Sequence, residues 1–139
     1  MKTMITFEEV DQVIDATENY AKTQCDLIYE KAANIYGKID HFKELLDDLF
    51  DSVSKNQIKL MRAEIRSLFS HYSTESIPVM NVAEYAKSCR ENQEIKMSNG
   101  FKMGGRSYGK TSETATFIIV SACRAAFMQK LAEYIQDDT

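Results

Sequence analysis

A chain of 139 residues, 44% hydrophobic and 27% charged, has the composition of a single globular domain over 1–139, long enough to bury a core without a disulfide or a metal. Five glycines and one proline exclude collagen-like, low-complexity and turn-rich all-β chains. A net charge of -4 excludes a uniformly basic nucleic-acid coat but leaves room for a local basic patch.

The opening residues Met1 to Ile5 meet Glu8, Glu9 and Asp11 with no apolar run of signal-peptide length, and no stretch reaches the roughly 18 apolar residues of a membrane span. Cys25, Cys89 and Cys123 are scattered and odd in number, and neither His41 nor His71 lies near one of them. Free thiols in a reducing compartment are expected, with no zinc site, no cofactor and no membrane partner; the expected location is cytoplasmic.

Thr6-Phe7-Glu8-Glu9 has the form of a capping box and opens the first predicted helix. Phe7, Ile14, Ala21, Ile28, Ile35, Phe42 and Leu49 recur every seven residues, and Cys25, Ala32, Ile39, Leu46 and Val53 form a second stripe. This is also the period of a supercoiled pair, so the repeat allows a homodimer through the N-terminal helices as well as packing inside one chain. Gly37 interrupts the pattern and Asp40 is a candidate cap, which predicts two helices, about 6–36 and about 40–53. Ser54-Lys55-Asn56 reads as a turn before a third helix carrying Ile58, Met61, Ile65, Leu68, Phe69 and Tyr72. After a serine-rich loop ended by Pro78, Asn81 is the expected cap of a short fourth helix with Val82, Tyr85, Ala86 and Cys89.

Residues 94–111 change character. Alternation at Glu94 to Met97 and Phe101 to Met103, around Ser98-Asn99-Gly100, predicts a small β-hairpin over about 94–104. A last helix from Thr111 or Ser112 to about Gln136 is apolar nearly all round and is expected to be central and buried. The predicted fold is therefore mainly α: a bundle of about five helices with one hairpin before a long C-terminal helix. Arg124, the one charge in its apolar run, requires a partner such as Glu64, Glu84 or an acid of the first two helices.

Charge is segregated along the chain. Residues 1–60 hold 7 Lys/Arg and 12 Asp/Glu, whereas Lys87, Arg90, Lys96, Lys102, Arg106 and Lys110 face only Glu91 and Glu94 between 86 and 110, six cations against two acids. Phe101 and Tyr108 lie among them and could stack on bases. In the hairpin register Lys96 faces Lys102, a pairing that is tolerable when solvated and favourable when an anion sits between them. Lys96, Lys102, Arg106, Tyr108 and Lys110 are the candidate contacts to nucleic acid or to an acidic protein surface; the bland alternative is a solvated hairpin.

Gly104-Gly105-Arg106-Ser107-Tyr108-Gly109-Lys110-Thr111 matches G-x-x-x-x-G-K-[ST], and a helix N-terminus follows it. The context of a phosphate-loop nucleotidase is missing, since one helix follows in place of a parallel sheet with a magnesium-binding acid. A simpler anion site at that N-terminus is what the spacing permits.

Arg66-Ser67-Leu68-Phe69-Ser70-His71 has the spacing R-x-x-x-x-H and resembles the signature of the HEPN family, α-helical domains many of which are metal-independent ribonucleases. The resemblance covers six residues, and Ser67 stands where the family often has an amide or an acid. It implies a dimer in which Arg66 stabilises phosphate charge and His71 acts as acid or base. On the residues alone, the preferred reading is that Arg66 is a surface side chain and His71 a helix-terminal cation near a negative pole. No Ser-His-Asp, Cys-His or paired-carboxylate arrangement stands out. The leading expectation is a non-enzymatic binding protein, with a HEPN-like ribonuclease and a purely protein-interaction or assembly subunit as alternatives.

Overall fold

The structure, a computed structural model, describes residues 2–36, 41–72, 74–89 and 111–137. Among these the chain is mainly helical: strand β1 (Met4–Thr6), helix α1 (Phe7–Tyr36), helix α2 (Phe42–Tyr72), strand β2 (Ser76–Pro78), helix α3 (residues 79–89) and helix α4 (Thr111–Asp137).

The start of α1 is the expected capping box. Thr6 Oγ1 accepts from the Glu9 amide at 3.2 Å, and Glu9 Oε1 accepts from the Thr6 amide at 3.0 Å. α1 ends at Tyr36, just before Gly37. The candidate cap Asp40 lies outside the described residues. His41, at φ 63°, stands immediately ahead of α2, and its carbonyl accepts from the Leu45 amide at 3.1 Å. Histidine is among the residues that enter the left-handed region more readily than most.

The second and third predicted helices are one, giving four helices among the described residues where about five were expected. α2 runs through Ser54-Lys55-Asn56 without a break. Ser54 is buried and its hydroxyl donates back to the Asp51 carbonyl at 3.2 Å, so its side chain is satisfied inside the helix. The buried positions Phe42, Leu46, Ser54, Ile58, Met61, Ile65 and Phe69 keep helical spacing across the supposed turn. Packing of that continuous face against α4 overrides the local turn preference.

The seven-residue stripes are used within the chain. Ile14, Ala21, Cys25, Phe42 and Leu46 all lie in the core. α4 is the central helix, packed against both α1 and α2. Ala115, Ser121, Ala122 and Ala126 let neighbours approach closely, and Ile118, Ile119, Phe127 and Leu131 fill the space between. By length and composition α4 could cross a bilayer, but most of it is buried inside this bundle.

The sheet was not foreseen. β1 and β2 pair antiparallel, Met4 with Pro78, Ile5 with Ile77 and Thr6 with Ser76, closing the chain start onto the segment after α2. Ile5 and Ile77 point into the core; Met4, Pro78 and Met80 are exposed. β2 passes directly into α3, which begins at residue 79, so Asn81 lies inside the helix and not at its cap. The Val79 amide, which no helical carbonyl can satisfy, donates to the Thr3 carbonyl at 2.9 Å. The predicted hairpin over 94–104 lies outside the described residues.

Candidate functional site

Lys96, Lys102, Arg106, Tyr108 and Lys110 all lie outside the described residues, as does the Gly104 to Lys110 part of the phosphate-loop match; Thr111 opens α4. Arg66 and His71 both lie on the exposed surface of α2. Arg66 stacks its guanidinium over the Phe7 ring, 5.0 Å from the centroid, and His71 meets Tyr72 edge to face at 5.5 Å. Five residues apart on one continuous helix, Arg66 and His71 project about 140° apart around its axis. One chain does not converge them on a common atom, so the chemistry implied by the HEPN resemblance requires a second copy.

Arg124 is where buried polar groups converge. It is 5% exposed and sits where α2, α3 and α4 meet. Its Nη1 donates to Glu64 Oε1 at 3.1 Å, to the Tyr85 hydroxyl at 2.7 Å and to Cys89 Sγ at 3.4 Å. Its Nη2 donates to Gln57 Oε1 at 3.2 Å. The Tyr85 hydroxyl in turn donates to Glu64 Oε1 at 2.5 Å, and the Tyr85 ring meets Phe127 edge-on. Burial opposes the charge on Arg124, but Tyr85, Cys89 and Glu64 outweigh it and hold the pKa above its ordinary value. Burial, then the bond to Glu64, pushes the Tyr85 phenol up, so it stays a donor. One donor, Arg124 Nε, is buried with no acceptor among the described residues.

Glu64 is one of the partners the sequence offered for Arg124; Gln57, Tyr85 and Cys89 were not foreseen in that role. Their spacing carries a signal. Gln57 and Glu64 are seven apart on α2, and Tyr85 and Cys89 four apart on α3, so each pair shares a helix face. The network joins three helices, with Arg124 and Gln57 buried and the Glu64 side chain 39% exposed.

Elsewhere six cations of the body sit beside acids, while Lys31, Lys59, Arg66 and Lys87 make no ion pair among the described residues. Lys22 and Lys43 of α1 and α2 form a square with Asp26 and Asp47. Arg62 bridges to Asp11 and Asp15, Lys55 to Asp51, Lys130 to Glu133, and Lys2 to Glu9. Cys25 and Cys123 are buried free thiols, pushed up by burial to about 11 and about 12, while Cys89 is half-buried. No group of three or more His, Cys, Asp or Glu is placed to hold a metal among the described residues.

Comparison with protein-family models, with curated proteins and with solved structures gave no match.

Proposed function

We propose that the chain is a non-enzymatic helical binding protein that contacts an anionic target through its basic, glycine-rich stretch, with Lys96, Lys102, Arg106, Tyr108 and Lys110 as the contacts. The observation that carries this reading is the contrast in charge pairing. In the body, seven cations lie beside carboxylates of the same chain. Between residues 86 and 110 six cations share the sequence with two acids. Cations with few acids near them in sequence are suited to neutralise phosphates, and the counterions this releases from the polyanion drive association. Phe101 and Tyr108 among them favour nucleic acid, and single strands in particular, since bases stack on exposed rings.

Fluorescence anisotropy with single- and double-stranded DNA and RNA, at low and near-physiological salt, tests the reading. Binding should weaken steeply with salt, and Lys102→Glu with Arg106→Glu should abolish it. Absence of binding at low salt would remove the nucleic-acid target and leave an acidic protein surface to be sought.

A further inference from the structure

α1, α2 and α4 are held together by large apolar side chains, among them Ile14, Leu46, Ile65, Ile118 and Phe127. α3 is fastened differently. Its buried apolar residues are Val79, Val82 and Ala86, none larger than valine. Two further residues of α3, Tyr85 and Cys89, reach Arg124 through polar contacts, and Tyr85 also reaches Glu64.

The two ends of α3 are also unlike. The N-terminal end is tied through β2, which pairs with β1, and through the Val79 amide on the Thr3 carbonyl. The C-terminal half is tied through the Arg124 network. Ala83 and Tyr85 add only partly buried contacts with the core, and an element with few large buried apolar side chains opens locally at a lower free energy than global unfolding. Removing one member of that fastening leaves the buried Arg124 short of a partner, which shifts the opening further.

We propose that α3 is a latch, hinged at the β1–β2 pair and closed by the Arg124–Glu64–Tyr85 network, which opens as a unit while α1, α2 and α4 stay folded. The basic stretch overlaps the end of α3 in sequence, Lys87 lying within the helix, so opening of the latch is expected to alter how that stretch is held. This consequence for anion contact rests on the reading above; the opening itself does not.

Amide hydrogen exchange of the full chain, without ligand and at neutral pH, tests the latch in the wild type and in Tyr85→Phe and Glu64→Gln. Amides of 79–89 should exchange faster than those in the middle of α1 and α4. Each substitution should speed 79–89 further, on the order of tenfold, and leave α1 and α4 unchanged. Acceleration of all helices together would show that the network holds the whole bundle, and unchanged exchange in 79–89 would show that it fastens nothing; either result overturns the proposal. The Lys102→Glu and Arg106→Glu binding result is read separately, so failure of the anion reading leaves the exchange result standing.

Discussion

In the helical body Lys2, Lys22, Lys43, Lys55, Arg62 and Lys130 each lie beside a carboxylate, and Arg124 is buried against one; between residues 86 and 110 six cations share the chain with two acids. The difference lies in what the charges are available to do. Paired cations on the body surface neutralise their own neighbours and contribute little stability each. Arg124, the one cation buried among the described residues, locates three helices relative to one another. The cations of the basic stretch have few acids near them in sequence, which is the basis for proposing a polyanion as their partner.

Substitutions can break this comparison, and the largest effect is expected at Arg124. Arg124→Leu should cost about 3 kcal/mol in urea unfolding, toward the low end for a broken buried pair. The reason is that the Glu64 side chain is 39% exposed and can regain water. Adding Glu64→Leu and Tyr85→Phe should restore part of the loss, because two of the stranded polar groups are then gone as well and, of the buried ones, only Gln57 still lacks its donor. A single-variant cost near zero would place Arg124 with the surface cations.

Next comes Thr6→Ala, expected to cost about 1 kcal/mol through loss of the cap on α1. The same corner gives a pH signature. Burial raises the Glu9 pKa, but hydrogen bonds from Lys2, Tyr134 and Thr6 outweigh it and lower the value from 4.5 to about 2. A carboxyl depressed in the folded state favours folding above its unfolded pKa. That contribution is therefore complete above about pH 4.5 and is lost as the pH falls toward 2. Glu9→Gln should flatten the stability profile across this window and leave the slope at neutral pH unchanged. The smallest effect belongs to the exposed Lys55–Asp51 pair. Lys55→Ala should move stability by no more than about 0.5 kcal/mol, and less still at high salt.

Long-range periodicity was the legible part of the sequence. The capping box at Thr6, the end of α1 at Tyr36 and the buried α4 follow from helical spacing and cap chemistry. So does the need of Arg124 for a partner such as Glu64. The break at Ser54 was misread because cap-type residues act locally, whereas the face from Phe42 to Phe69 is held along its whole length by α4. The seven-residue stripe also carries a limit that sequence alone conceals. A straight helix drifts about 20° per heptad against such a repeat. Accordingly Leu46 is buried, Val53 half-buried and Leu60 44% exposed along α2. β1 and β2 were missed because three residues are too few for an alternation to show, and their pairing joins positions seventy or more apart in sequence. Tyr85, Cys89 and Gln57 were missed because a polar cluster between three helices is assembled by the fold and has no motif of its own.

The most direct test of the account is salt-dependent anisotropy of a labelled single strand, measured on the wild type and on Lys102→Glu with Arg106→Glu, alongside urea unfolding of both. The account predicts salt-sensitive binding that the double substitution abolishes while stability stays within about 0.5 kcal/mol of the wild type. Binding that survives the substitution, or none at low salt in the wild type, would contradict the assignment of this stretch as a nucleic-acid contact.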